Sequence, residues 1–180
     1  MTTPESPNGY TPYEQYSFSR WVLYSTMAVL LTIAGVVIFS ADVILIPQSS
    51  VKLVVGAGIA ITASLFIHES LHYLASSALG YDPVYIWPNG VYVPEVSLDL
   101  WEISITLLAP QLLSVVYTGL LITGAVNDLA IVIGWGLVIN LGGGASDMAW
   151  IVRRLTWPAG TKVIVGDDEE NYVAFSKDSL

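Results

Sequence analysis

Four long apolar runs divide this chain. The run from Trp21 to Phe39 carries no charged residue and, at about 19 residues, is long enough to cross a bilayer core as a helix. Comparable runs extend from about Val51 to Leu79, from about Trp101 to Thr123 and from about Asp128 to Leu155. Lipid offers no partner to a free backbone N–H or C=O, so a spanning chain must satisfy those groups internally, as a helix or a closed barrel. Runs of this length select helices. Composition agrees: the 180 residues are 54% hydrophobic and 12% charged, whereas a soluble domain carries about 25% charged residues. The sequence therefore predicts an all-α membrane protein, a four-transmembrane-helix bundle.

Glycine and proline punctuate the runs. The first helix has room to continue past Asp42 to Ile46 before Pro47 stops it. The second ends at Gly80, a natural C-cap, and its first half is rich in small residues (Gly56, Ala57, Gly58, Ala60, Ala63) that let helices approach closely in lipid. Pro110 predicts a kink in the third helix, read as a packing feature rather than a site element. Gly142-Gly143-Gly144 invites local unwinding in the fourth, which lipid tolerates only where the backbone is buried in protein or lines a cavity. Between helices two and three, Val84 to Trp87 and Val91 to Val93 flank Pro88-Asn89-Gly90 and predict a short β-hairpin-like loop.

These boundaries divide the chain into residues 1–19, a disordered or interfacial N-terminal tail; 20–155, the helical domain; and 156–180, a polar C-terminal tail. A signal peptide fits poorly, because no basic residue precedes Arg20. In the last segment, Lys162 to Val165 and Tyr172 to Phe175 can form a small hairpin around a solvated acidic run, residues 167–170.

Charge excludes several functions. Six Lys and Arg against fifteen Asp and Glu give a net charge of −9, so there is no basic face for nucleic acid. There is no cysteine, which excludes a disulfide framework, a thiolate metal site and a cysteine nucleophile. With the N-terminus inside, Arg20, Arg153, Arg154, Lys162 and Lys177 are cytoplasmic and only Lys52 is outside. The expectation is an integral protein of the cell membrane with both termini cytoplasmic.

The only two histidines, His68 and His72, lie four apart on a predicted helix and so share one face, with Glu69 between them. This is H-E-x-x-H, in which two imidazoles bind zinc and the glutamate serves as general base. A catalytic zinc takes three protein ligands, so a third is required. The carboxylates near or inside helices are Asp42, Asp99, Glu102, Asp128 and Asp147. Helices two and four run in the same direction, and His68 and Asp147 lie at similar depth along them. Asp42 and Asp128 fall at the outer surface; Asp99 and Glu102, at the start of helix three, remain alternatives. Asn140, two turns before Asp147, is a candidate donor to substrate backbone or an oxyanion, or else an interhelical hydrogen bond. A haem bundle is excluded, since two histidines on one helix face cannot ligate opposite sides of one iron.

His68-Glu69-Ser70-Leu71-His72 in a membrane helix, with a Gly-rich segment ending in Asp147, resembles the intramembrane metalloproteases of the site-2 type. Over about Arg20 to Phe175 the chain is more closely similar to a small family of membrane zincin peptidases, a domain family of unknown function. The likeness includes the Leu108-Ala109-Pro110 segment, Asn140 to Asp147, and residues 158 to 168. It implies His68, His72 and Asp147 as zinc ligands and Glu69 as catalytic base. It also implies that the loop of residues 84–93, with Tyr85 and Trp87, guides a substrate segment as an added β-strand. The chain departs from the site-2 pattern in lacking a proline between Asn140 and Asp147 and in carrying Met148 after the aspartate. The expected function is a zinc-dependent, membrane-embedded peptidase acting on a membrane protein or peptide, with its site toward the cytoplasmic side. The alternatives are a non-hydrolytic metal-binding or metal-transport protein and an inactive protease relative that binds membrane segments.

Overall fold

A computed structural model describes residues 5–17, 19–45, 49–86, 90–94, 96–125, 129–165 and 170–179. Four helical stretches are long and apolar enough to cross a membrane: Arg20–Ser40, Ser50–Ala78, Leu100–Thr123 and Ala130–Thr156. The first is helix α1 (Arg20–Ser40), which stops at Ala41; Asp42 follows with φ 54°, a left-handed turn that ends helical pairing. The second is α2 (Ser50–Ala78), started by the Ser49 hydroxyl, which accepts from Lys52 N. Gly80, φ 88°, closes it as the sequence predicts.

The third and fourth stretches are each broken in two. Pro110, which has no N–H, separates α3 (Leu100–Leu108) from α4 (Gln111–Thr123). Gly144 separates α5 (Ala130–Gly143) from α6 (Ala145–Thr156). A side chain at Gly144 would run into the Gln111 amide and crowd the Asn140 carbonyl, so the two breaks meet where only glycine fits.

The bundle is held by α5. Its residues Ile133, Leu137 and Leu141 pack with Ala34 and Ile38 of α1 and Leu121 of α4 into one buried cluster. On α2 the buried residues recur every four positions: Gly56, Ala60, Ser64, His68, His72, Ser76. This stripe of small and polar side chains brings α2 close to α5, with the Gly56 Cα facing Ile131 and the Ser64 hydroxyl bonded to Tyr117 over 3.1 Å. Most of the large apolar residues that remain exposed lie on the spans, as expected for helices that face lipid.

The predicted hairpin between helices two and three exists: β2 (Val84–Ile86) pairs antiparallel with β3 (Gly90–Tyr92), Tyr85 opposite Val91. A second, three-stranded antiparallel sheet has the order β1-β5-β4, with β1 at Glu14–Gln15, β4 at Lys162–Val165 and β5 at Asn171–Ala174. The C-terminal hairpin was legible in sequence. The N-terminal strand was not, and the expectation of a disordered tail is corrected: Glu14 pairs with Val173, Tyr13 is 7% exposed, and Tyr10 bridges Ser176. The reason is packing. Tyr13 and Tyr10 join Ile164, Tyr172 and Ala174 in an apolar cluster that neither end of the chain has alone.

Candidate metal centre

The four-residue stripe on α2 delivers His68 and His72 to one buried face, and their rings meet edge to face at 4.9 Å. Asp147 stands on the first turn of α6, three residues beyond the Gly144 break, and its Oδ2 lies 3.3 Å from His68 Nε2 and 3.4 Å from His72 Nε2. One ligand atom from each residue falls within 4.8 Å of the other two.

The far side of each imidazole is committed. His68 Nδ1 donates to Asn140 Oδ1 over 3.0 Å. Asn140 is oriented unambiguously, because its Nδ2 donates to the Pro110 carbonyl at 3.0 Å and to Ser114 Oγ at 2.7 Å, while Ser114 donates onward to Gln111 Oε1. His72 Nδ1 donates to the Thr106 carbonyl over 2.8 Å. That carbonyl is available because the residue four positions on is Pro110, which has no N–H to return to it. Pro110 is therefore an element of the site and more than a packing kink.

With both Nδ1 atoms held as N–H donors by their carbonyl acceptors, each neutral ring presents a lone pair at Nε2. Those lone pairs and the Asp147 carboxylate converge on one point. Asp147 Oδ2 is buried and makes no hydrogen bond. A buried carboxylate oxygen facing two imidazole lone pairs is costly unless a cation sits among them. The donor set thus fits a divalent ion, with two nitrogens, one oxygen and, behind the rings, carbonyls that fix the tautomers.

The three residues line one end of a cavity of about 360 Å³. Glu69, half-buried, lines it beside them, and its Oε2 would lie 3.3 Å from a Cβ on Gly90. Gly90 has φ 124°, a conformation in which glycine is strongly favoured, so the start of β3 comes down over the carboxylate. Gly143 of the Gly-rich break also lines the cavity.

Other candidates sit elsewhere. Asn140 is 1% exposed and both amide hydrogens are spent on protein acceptors, so the interhelical reading applies and its place as a substrate donor is withdrawn. Glu102 accepts from Tyr81 Oη at 2.6 Å and from Asp99 N at 2.8 Å in a capping box, and Asp99 lies 3.9 Å from Lys162 Nζ. Neither alternative third ligand approaches the histidines. Asp128 and Trp87 lie outside the described residues, as does residues 167–169 of the acidic run. Tyr85 is on β2 with its hydroxyl buried; burial first, then the Glu69 charge, pushes its pKa up. The wall at that point is made by Ile86 and β3.

Sequence reasoning missed the Thr106 carbonyl, Ser114, and the contribution of β4 and β5 to the cavity. The spacing of Thr106 and Pro110 was a signal for the first. No family model, curated protein or solved structure matches this chain.

Proposed function

We propose that the protein is a metal-dependent membrane peptidase of the zincin type, with His68, His72 and Asp147 as ligands and Glu69 as general base. The observation that carries this reading is the convergence of Asp147 Oδ2 on two Nε2 lone pairs, 3.3 and 3.4 Å away, beside a glutamate on an open cavity. Two imidazoles and a carboxylate, with cysteine absent, favour zinc. A zinc ion held there would supply Lewis acidity, lowering the pKa of a water and polarising a carbonyl. The Glu69 carboxylate takes a proton from the attacking water and passes it to the leaving amine. Asn140 and the Thr106 carbonyl hold the two rings in the tautomer that ligation requires. Positive charge at Arg20, Arg153, Arg154, Lys162 and Lys177 favours cytoplasmic termini and a site toward that side.

The test is metal content per chain of detergent-purified protein, for wild type, His68→Ala and Asp147→Ala. One ion per wild-type chain, lost in both variants, supports the ligand set. Protein that stays metal-free after zinc loading overturns it. Full occupancy with no cleavage of any membrane or peptide substrate leaves a metal-binding protein without hydrolase activity.

A further inference from the structure

The wall of the cavity opposite the helices comes from the end of the chain. Val163 and Val165 of β4 and Asn171 of β5 line it. Side chains alternate along a strand. Ile164 also borders the cavity but packs into the Tyr13, Tyr172 and Ala174 cluster on one face of the sheet, so the side chains of Val163 and Val165 point from the other face. Asn171 is the cross-strand partner of Val165, and its carbonyl accepts from Tyr16 N at 2.8 Å. Val165 also bridges Pro94 in parallel, next to β3. The two short sheets therefore meet at one corner and face each other across the site.

Among the described residues that line this cavity, the ionisable ones are His68, Glu69, His72 and Asp147 on the helices and Tyr92 on β3. The described lining of the C-terminal hairpin is Val163, Ile164, Val165 and the Asn171 amide, so a charged side chain placed against those residues would lose water without an opposite charge among them.

We infer that the C-terminal hairpin is the specificity wall of this site: Val163, Val165 and Asn171 select an extended, uncharged, apolar chain segment for the place opposite the His68–His72–Asp147 cluster. The inference rests on the peptidase reading for its chemistry, but its geometry concerns binding alone. A segment lying between the two sheets turns its polar backbone toward Glu69 and Asp147 and an apolar side chain toward Val163 and Val165. Tyr16, just after β1, ties the wall to α6: its ring meets Trp150 at 5.6 Å and Trp157, at the end of that helix, at 5.1 Å.

The chain has no cysteine, so single-cysteine probes are clean. Val165→Cys and, separately, Asn171→Cys in the full-length zinc-loaded protein are labelled with a neutral maleimide. Labelling is timed with and without an end-blocked ten-residue peptide of Ala, Leu and Val, and with the same peptide carrying one central Asp. At ten times its Kd the apolar peptide should slow labelling about tenfold, and the Asp peptide should leave it unchanged. Equal rates without peptide and with either one overturn the inference, as does equal protection by both peptides. Cleavage read in the same samples separates the two claims. Protection without cleavage keeps the wall and removes the peptidase reading; cleavage without protection does the reverse.

Discussion

His72 owes its orientation to Pro110: the Thr106 carbonyl that accepts from His72 Nδ1 at 2.8 Å is the one a non-proline residue at 110 would bond through its own N–H. This makes an opposition between stability and metal binding. Pro110→Ala restores the helical donor, which competes with the imidazole for one acceptor. Helix propensity at 110 then improves, by up to about 3 kcal/mol where the helix can straighten. The expected result is unchanged or higher thermal stability with zinc affinity weakened about tenfold, within the range for losing the hydrogen-bond partner of a ligating imidazole. Chelator competition and a melting curve on the same sample check both signs. A folded variant with wild-type affinity would break the link between the helix break and the ligand.

Asn140 is the corresponding partner of His68, yet its removal should look different. Asn140→Ala frees His68 Nδ1 and also strips donors from the Pro110 carbonyl and Ser114 Oγ, all in a buried site. Zinc affinity should fall about 10- to 100-fold. Stability should fall as well, by about 1–3 kcal/mol, because polar groups are left unsatisfied. Affinity lost together with stability here, and without it at Pro110, is the pattern expected of two partners with different structural duties.

Much of this site was legible from the sequence, and the parts that were not share a cause. His68, His72 and Asp147 were found because helical periodicity and depth are properties of single helices, which spacing reports directly. A kink at Pro110 and unwinding within Gly142–Gly144 were expected from proline and glycine chemistry, and the breaks fall at Pro110 and Gly144. What spacing does not report is which backbone carbonyl loses its donor, and what takes it up. The Thr106–His72 bond joins residues from α3 and α2, and the Asn140 network joins α2, α4 and α5. The tail sheet was half seen. β4 and β5 alternate locally, whereas β1 is two residues long and exists only because Tyr13 finds its partners at the other end of the chain.

Glu69 lies beside the ligand cluster but its carboxylate is outside the set of three converging atoms. Glu69→Gln should therefore keep full zinc occupancy while hydrolysis drops by about 10²–10⁴-fold, the usual contribution of a positioned base. Gly90→Val tests the same group from its neighbour. A Cβ there sits 3.3 Å from Glu69 Oε2 on a backbone at φ 124°, so the strand must lift or the carboxylate must turn. Cleavage should fall with metal retained. Zinc loss in Glu69→Gln would place the carboxylate among the ligands instead.

Tyr81 lies outside the spans and its hydroxyl donates to Glu102 at 2.6 Å, which raises its pKa to about 12, with the bond to Glu102 as the largest cause. The raised value means the folded chain holds this proton more tightly than the unfolded chain. Its stabilising contribution is complete below about pH 10, the unfolded value, and is lost as pH climbs toward 12. A difference absorbance titration, wild type minus Tyr81→Phe, should show phenolate appearing near pH 12. Appearance near 10 would mean that the bond to Glu102 is not held in solution.

Tyr13 tests whether the tail sheet and the ligand cluster are one cooperative unit or two. Tyr13 is 7% exposed and packs in a cluster with Tyr10, Ile164, Tyr172 and Ala174, all from the two chain ends. Tyr13→Ala should cost the sheet about 3 kcal/mol, the usual loss for truncating a buried aromatic. The three ligand residues stand on α2 and α6 and draw their supports from α3, α4 and α5. Zinc affinity should therefore hold while residues 157–180 become sensitive to limited proteolysis. Affinity falling in step with the sheet would show instead that the wall over the cavity also fixes the ligands beneath it.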